Sequence, residues 1–224
     1  LVALGLFQSQ DEINRSPKQT YGEVRPGDIR YKDVNADGKI DDDDVVPIAH
    51  SNVPQIQYGF ALEYRYKRWT ISALFTGAAK VNFLYGGSGF YPFSGGEVGN
   101  ILSIVNDPKN RWTPAWYSGD PSTENPNARF PRLTYGENKN NNRASTFWLA
   151  DGSYLRWKSL DISYRIGTNK ALRTVGISDM NLQFVGQNLA VWDSVKLWDP
   201  GQASKNGAVY PLQRTFSLQL TATF

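Results

Sequence analysis

Residues 33–44 have oxygen-bearing side chains at the spacing that a calcium-binding loop requires. Aspartate or asparagine occupies places 1, 3, 5, 9 and 12 of this stretch, and a glycine stands at place 6, where such loops turn sharply. Place 7 provides a backbone carbonyl oxygen in these loops, and Ile40 at place 8 can anchor the loop on apolar neighbours. The predicted metal ligands are Asp33, Asn35, Asp37, Lys39, Asp41 and Asp44, with Lys39 acting through its carbonyl oxygen.

This stretch has an alternative interpretation as an acidic surface turn, because Asn, Asp and Gly are ordinary turn residues. Asp44 also stands where the loop motif has Glu, so its shorter side chain reaches an ion with one oxygen or through water. The many flexible oxygen ligands favour calcium over magnesium. Pro47 and Pro54 prevent a following helix, so we expect any bound calcium to be structural.

The composition excludes several other kinds of site. The chain has no cysteine and one histidine, His50, which rules out disulfides, thiolate metal sites and multi-histidine metal sites. No carboxylates stand in a recognisable catalytic arrangement, so the chain is not predicted to be an enzyme. A net charge of +3 over 224 residues does not predict a nucleic-acid partner. Residues 1–7 are apolar but lack the features of a signal peptide, which predicts the later part of a longer protein.

From Ile56 onward, apolar and polar side chains alternate as they do in β-strands whose two faces meet different surroundings. A tight reversal at residues 67–68 joins the first two strands into a hairpin. Later strands are predicted around residues 146–149, 160–166, 182–186 and 215–224. The alternation slips near Trp157 and Lys158, which predicts a β-bulge. Short helices are predicted at residues 100–105 and 169–175, and one helical turn at residues 8–14 with Ser9 and Glu12 as a capping pair.

Residues 85–145 form a long connection that is rich in Gly, Pro and Asn. Connections of this length are usually functional or disordered. The aromatic content of this one favours an ordered, folded loop. Its aromatic residues include Phe90, Tyr91, Phe93, Trp112, Trp116 and Tyr117.

Three features distinguish the wall of a membrane barrel from a soluble sheet. The strands are about ten residues long, which at a tilt of about 45° spans the apolar layer of an outer membrane. Aromatic side chains stand near the strand ends, as in the aromatic girdles of such barrels. Long and short connections alternate, as extracellular loops and periplasmic turns do. The girdle residues are Tyr64, Tyr66, Trp69, Tyr164 and Phe224; the long connections are residues 1–54, 85–145 and 192–211, and the short ones are residues 67–68 and 167–178.

We therefore predict an all-β fold, an antiparallel transmembrane β-barrel segment of about five strands with long extracellular loops. Residues 1–54 form an extracellular loop region that contains the calcium-type loop at 33–44, and residues 55–224 form barrel strands and loops in one domain. Such barrels need at least about eight strands, and lipid does not tolerate open sheet edges. The rest of the barrel is therefore expected from residues outside this chain.

Several motifs, in their order and spacing, resemble the last part of the barrel of SusC/RagA-type TonB-dependent transporters. The resemblance extends over nearly all of the chain, and its motifs are specific only when taken together. Gly152 stands where the family often has Ala or Ser. The matching stretches are residues 28–44, Arg111-Trp112-Thr113-Pro114, residues 125–133, residues 146–156, Gly186-Gln187-Asn188-Leu189 and residues 210–216.

The resemblance implies a barrel of about 22 strands that imports oligosaccharides or peptides across the outer membrane of a Gram-negative bacterium. It also implies a SusD-like surface lipoprotein as a partner. The plug, the remaining barrel and the segment that contacts TonB are implied to lie in an N-terminal part outside this chain. Polar residues on the inner face then line the lumen or meet the plug, or they only solvate the barrel interior; they are Gln57, Glu63, Arg65, Asp161 and Arg165.

A second class of protein also fits part of the pattern. Surface aromatics and a calcium-type loop suit a soluble, calcium-stabilised, carbohydrate-binding β-sandwich, in which strands alternate in the same way. That fold does not explain the alternation of long and short connections or the apolar residue Phe224 at the end of the last strand.

Overall fold

The computed structural model describes residues 1–94 and 99–224. The chain divides into two compact units, which we name the loop unit and the sheet unit. The loop unit comprises Leu1–His50, Phe83–Ala150 and Ser204–Ala208, and the sheet unit comprises Ser51–Asn82, Asp151–Ala203 and Val209–Phe224. The sequence predicts a different division, into an extracellular region 1–54 and a barrel region 55–224. That division concerns the position of each region relative to the membrane, and it stays a prediction.

The secondary structure is mostly β, with a few short helices, as the sequence predicts. The strands are β1 Ala3–Leu6, β2 Lys18–Gln19, β3 Ile29–Tyr31, β4 Lys39–Ile40, β5 Ile56–Tyr66, β6 Trp69–Ala79, β7 Asn82–Leu84, β8 Leu149–Asp151, β9 Tyr154–Arg165, β10 Asp179–Asp193 and β11 Thr215–Thr223. The α-helices are α1 Gln10–Arg15, α2 Ser103–Asn106, α3 Ala115–Ser118 and α4 Lys170–Thr174. Short 3-10 helices occur at Asp42–Asp44, Pro121–Thr123, Thr146–Trp148 and Pro200–Gln202.

The sheet unit is built on one antiparallel sheet in the order β11-β10-β9-β6-β5. The predicted hairpin is confirmed, because Tyr66 lies opposite Trp69 across the turn at residues 67–68. The strand register places apolar residues opposite apolar residues; for example, Phe60 lies opposite Phe75, and their ring centroids are 4.9 Å apart. The connections at the two ends of the sheet are of unequal length, as the sequence predicts.

The predicted bulge is confirmed in β9. Leu74 lies opposite Ser159 and the next residue, Phe75, lies opposite Trp157, so Lys158 is the extra residue. This displacement keeps the aromatic ring of Trp157 on the apolar face, where it stacks on Phe75 at 5.8 Å. A second irregularity, between Gln187 and Ala190 of β10, is not evident from the sequence.

The loop unit consists mainly of irregular chain with short two-stranded sheets. β1 pairs with β3, and β2 pairs in parallel with β4. The predicted helical turn with its Ser9 cap is confirmed as α1, where the Ser9 hydroxyl accepts a hydrogen bond from the Glu12 N–H. Phe90, Phe130 and Trp148 are almost fully buried in a common aromatic cluster. The described residues of the long connection 85–145 are therefore folded, as their aromatic content predicts; residues 95–98 lie outside the described residues.

Two local predictions in the loop unit need correction. The strand predicted at residues 146–149 is a 3-10 helix as far as Trp148, and β8 begins only at Leu149. The reason is a tertiary contact. The buried Trp148 indole donates a 2.6 Å hydrogen bond to the Asn141 carbonyl oxygen, and a straight strand would not place the indole within reach of that oxygen. The helix predicted at residues 100–105 lies slightly later, as α2. Within the described residues, we find no helix of the length and apolarity required to span a membrane.

Candidate functional site

One face of the sheet unit is apolar across all five strands, and much of it is exposed. Leu62, Leu218 and Leu220 are 61, 72 and 61% exposed. Apolar surface of this extent on a folded protein normally contacts lipid or another protein. We name this surface the apolar belt. Its exposed members are Ile56, Tyr58, Phe60, Leu62, Tyr64, Tyr66, Trp69, Ile71, Phe216, Leu218 and Leu220.

The predicted aromatic girdle lies at the end of the sheet where the short connections are found. Trp69 packs against Tyr164 at a ring distance of 4.6 Å, and Tyr66 lies opposite Trp69 in the hairpin. Aromatic side chains with one polar atom are favoured where an apolar layer meets water. The arrangement therefore fits one boundary of an apolar layer.

The opposite face of the sheet carries the polar residues that the sequence assigns to a barrel interior. Glu63 and Asp161 both lie opposite Ser72, so they share one row across three strands. Asp161 also accepts a hydrogen bond from Gln183. Arg65 pairs with Glu63 at 2.6 Å. These polar groups satisfy one another along the sheet.

Two further residues of this polar face lie outside that row. Arg165 pairs with Asp179 at 3.1 Å, close to the short connections. Gln57 lies opposite Ala78, near the other end of β5. Whether the five polar residues line a lumen stays a prediction.

The predicted calcium loop is closed by hydrogen bonds from its own backbone. The carboxylate of Asp33 accepts the N–H groups of Ala36 and Gly38, at 2.6 and 2.9 Å. The Asn35 side chain accepts the N–H of Asp37 at 3.1 Å. Gly38 has a φ of +86°, which permits the sharp turn expected at place 6. Ile40 is fully buried and anchors the loop as predicted.

Asp44 is fully buried at the end of this loop and acts there as a structural acceptor. Its two carboxylate oxygens accept the N–H groups of Val34 and Asp41, at 2.6 and 3.0 Å. Burial alone would raise the pKa of Asp44, but the N–H donors of Val34, Asp41 and Asn35 hold that pKa below its usual value. The carboxylate is therefore ionised and fixes the two ends of the loop together.

Lys39 supplies positive charge inside the loop. Its ammonium nitrogen lies 2.5 Å from an Asp41 carboxylate oxygen and 3.5 Å from one of Asp37. The Lys39 ammonium, together with the Asp43 N–H, lowers the pKa of Asp41. Among residues 1–94 and 99–224, no group of three or more His, Cys, Asp or Glu side chains is gathered as for a metal ion. The oxygen donors have the chemistry that calcium prefers, and calcium binding at this loop stays a prediction.

Calcium at about 1 mM, the range of weak extracellular modules, is expected to slow proteolysis within residues 28–54 of the protein. Asp33→Ala and Asp37→Ala should each abolish this protection, because each removes a predicted oxygen ligand. Asp43→Asn is the matched control, since it removes an exposed negative charge at a place that provides no ligand. The cleavage rate is measured by mass spectrometry of timed digests. Equal rates in calcium and in a chelator would show that the loop is an acidic turn.

A buried polar cluster centred on Asp28 holds the lead-in to this loop. One Asp28 oxygen accepts the amide groups of Asn138 and Asn141, at 3.1 and 2.8 Å, and lies 2.9 Å from Nε of Arg132. The other oxygen accepts the Arg25 N–H at 2.8 Å and Nη2 of Arg132 at 3.0 Å. Asp28 is fully buried, so these donors replace water around its charge.

The same lead-in is fixed by two buried amide side chains. Gln19 donates to the Ile29 carbonyl oxygen at 2.9 Å and to the Asn140 side chain at 2.7 Å, and it accepts the Tyr31 N–H at 2.7 Å. The Tyr31 hydroxyl donates to the Asn140 carbonyl oxygen at 2.8 Å, and burial raises the pKa of this hydroxyl. Residues about 110 positions apart in sequence are therefore locked together without a cysteine.

A cleft of about 410 Å³ in the loop unit combines arginine with exposed aromatic side chains. Trp116 and Tyr117, on α3, are 84 and 68% exposed, and their rings meet edge to face at 5.9 Å. We name this feature the arginine–tryptophan cleft. Its lining residues are Arg25, Pro26, Arg111, Trp112, Thr113, Pro114, Trp116, Tyr117, Arg132 and Leu133.

Sequence reasoning did not find this cleft as a site. It identified Trp116 and Tyr117 only as aromatics of an ordered loop, and Trp112 also as part of the family-like stretch Arg111-Trp112-Thr113-Pro114. Arg25 and Arg132 reach the cleft from positions far apart in the chain, and no local motif connects them. The usable signal was the concentration of aromatic residues beside Arg111 in a long connection.

No family model matches the chain. Two curated proteins of Formosa agariphila do. TonB-dependent receptor P26 is 28% identical over 233 residues, which covers 99% of this chain and 22% of that protein. TonB-dependent receptor P3 is 24% identical over 217 residues, which covers 91% of this chain and 20% of that protein. The chain thus spans about a fifth of the length of these relatives.

Solved structures with the same fold come from the RagAB peptide importer. Its open-open state matches with a TM-score of 0.64 and 19% identity, covering 100% of this chain and 22% of that chain. The structure described as the RagAB peptide transporter matches with a TM-score of 0.65 over the same shares. The motifs, the curated relatives and the fold agree, and over its whole length the chain is similar to a segment of a SusC/RagA-type TonB-dependent receptor.

Proposed function

We propose that the sheet unit is part of the wall of an outer-membrane barrel, with the apolar belt against lipid. The observation that carries this proposal is the belt itself, an apolar surface that continues across five strands, is most exposed on β5, β6 and β11, and ends in an aromatic girdle. A soluble sandwich would bury such a face against a second sheet. The matched relatives, which are named as TonB-dependent receptors, support the same conclusion.

The barrel is proposed to close through strands outside this chain. β5 and β11 stand at the two edges of the described sheet. In lipid, each edge needs a neighbouring strand, because unpaired backbone groups there cost several kcal/mol. A total of about 22 strands, as in outer-membrane transporters with a plugged lumen, would provide these neighbours.

The activity proposed for the whole receptor is TonB-dependent import of oligosaccharides or peptides, and not an enzymatic reaction. The matched structures are described as a peptide importer, and the curated relatives as receptors. The proposed partners are a SusD-like lipoprotein at the cell surface and TonB, which would bind a part of the receptor outside this chain. The proposed location is the outer membrane of a Gram-negative bacterium.

The proposed topology puts the long connections outside the cell and residues 67–68 and 167–178 in the periplasm. The chain has no cysteine, so single cysteines can be introduced at chosen sites. On intact cells, an impermeant maleimide should label Ser122→Cys and leave Arg68→Cys unlabelled; both positions are exposed in the structure. Labelling of both after the outer membrane is permeabilised is the control. Labelling of Arg68→Cys alone on intact cells would reverse the topology.

Import itself is tested by growth and uptake with the complete receptor. A strain that lacks the receptor should lose uptake of one class of oligosaccharide or peptide, and expression of the receptor should restore it. Restoration should fail in a strain without TonB. Uptake that continues unchanged without TonB would contradict energised import.

A further inference from the structure

We infer that the arginine–tryptophan cleft binds an acidic saccharide, in which a sugar ring lies on the aromatic pair and a carboxylate or sulfate group meets the arginines. This inference rests on the proposed import function, and it names a substrate class within the oligosaccharides. The volume of about 410 Å³ is of the size that holds a small ligand or one end of a longer one.

The first support is the exposed aromatic pair. Trp116 is 84% exposed, so its indole contributes little to the stability of the fold. The indole presents a flat apolar surface that a ligand can contact. Tyr117 is 68% exposed and stands edge to face with it. Trp112, by contrast, is buried beneath the cleft, where its indole N–H donates to Gln8 at 3.3 Å. Amphipathic rings of this kind favour a partner with an apolar face and polar edges, and a pyranose ring has both.

The second support is the charge of the lining, which contains three arginines and no acidic residue. The Arg111 guanidinium donates to the carbonyl oxygens of Val105 and Asn106, at 2.5 and 2.8 Å, so carbonyl dipoles oppose its charge. Arg132 is held in place by the buried Asp28. A guanidinium presents several N–H donors in a plane that matches carboxylate and sulfate groups.

Arg25 is the most accessible cation of the cleft. Its side chain is 60% exposed and pairs with Glu23, whose side chain is 74% exposed. Ion pairs that lie in solvent are weak, so an anionic ligand can replace Glu23 as the partner of the Arg25 guanidinium at little cost in free energy. Arg25 is therefore the charged residue whose removal should weaken binding without disturbing the fold.

The third support is that the lining offers few backbone groups to a peptide. Pro26 and Pro114 have no N–H group, and several other lining residues already donate theirs within the unit. A peptide that binds as an added β-strand gains much of its affinity from main-chain hydrogen bonds. The cleft therefore favours recognition through a ring and an anionic group. The lining residues whose N–H groups are already donated are Arg25, Trp112, Thr113, Tyr117 and Arg132.

The inference is tested by calorimetric titration of the full-length receptor in detergent. The probes are an oligogalacturonate, a sulfated carrageenan oligosaccharide, a neutral malto-oligosaccharide and a glutamate-rich peptide. We expect binding of at least one acidic saccharide, with affinity that falls as salt is added. Trp116→Ala and Arg25→Gln should each weaken it about tenfold or more, as for central binding residues. The two acidic probes distinguish a carboxylate from a sulfate ligand.

The matched controls are Tyr135→Ala and Arg129→Gln, which remove an exposed aromatic ring and an exposed cation of the loop unit outside the cleft. They should leave the affinity unchanged. No binding of either acidic saccharide, equal binding of the neutral sugar or the peptide, or an unchanged affinity in Trp116→Ala would each overturn the inference. If binding behaves as expected but cells show no TonB-dependent uptake, the import proposal fails and the cleft assignment stands.

Discussion

Leu218→Arg and Leu220→Arg are each expected to prevent normal assembly of the receptor in the outer membrane. Both side chains are on the apolar belt and are more than half exposed, so in the proposed barrel wall lipid would surround an arginine at either position. A charge there costs about 2–4 kcal/mol near the middle of the bilayer. Such a loss is a large part of the stability of a typical folded protein.

Gln219→Arg is the matched control, because it introduces the same side chain between the two test positions but on the opposite face. Gln219 lies opposite Gln183, which donates to Asp161 in the polar row. An added arginine there has water or carboxylates as neighbours. Assembly is measured by the heat-dependent mobility of the receptor in unboiled gels and by its amount in outer membranes. Equal loss at positions 218 and 219 would show that both faces are buried, as in a soluble core.

The two faces of the sheet were predictable from the sequence because side chains alternate along a strand without reference to distant residues. In β11, for example, Phe216, Leu218 and Leu220 are apolar and the residues between them are polar. The bulge at Lys158 was also predictable, since an extra residue shifts the alternation by one position. These signals are local, because each face of a strand meets one kind of environment along its length.

The second irregularity of β10 could not be predicted in the same way. Gly186, Asn188 and Ala190 are small or polar, so a shift of one position leaves no clear mark in the pattern. Asn188 adopts a φ of +52° and donates to the Gln213 carbonyl oxygen at 2.9 Å. That contact depends on the connection that precedes β11, which the sequence of β10 does not reveal.

The acidic loop shows where a motif predicts a conformation better than it predicts a ligand. The turn at Gly38 and the anchor at Ile40 are as the spacing predicts. The position of the Lys39 ammonium between Asp37 and Asp41 could not be derived, because a lysine side chain has many conformations of similar energy. The motif specifies which residues carry oxygen atoms. The place of the Lys39 ammonium, which would compete with a metal ion for those oxygens, depends on the side-chain rotamer of Lys39.

Asp28→Ala is expected to destabilise the loop unit by about 3–5 kcal/mol, the range measured when one partner of a buried ion pair is removed. Asp28 is fully buried, and its loss would leave the Arg132 guanidinium and the Asn141 amide without their acceptor, while the Asn138 amide would keep only Thr134. The sequence shows Asp28 only as the first residue of the family-like stretch 28–44, because its side-chain donors lie more than 100 residues later in the chain. The effect should therefore reach both ends of the loop unit.

Hydrogen exchange followed by mass spectrometry of the full-length receptor measures this effect peptide by peptide. Faster exchange is expected in peptides around residues 25–32 and also in those around 132–141, which the Asp28 cluster joins. Glu23→Ala is the control, since it breaks a solvent-exposed pair with Arg25, and exposed ion pairs contribute little to stability. Peptides of β9 and β10 should exchange as before, because the ladders of the sheet unit hold them. Faster exchange limited to residues 25–32 would show that Asp28 stabilises only its own turn and does not hold the long connection.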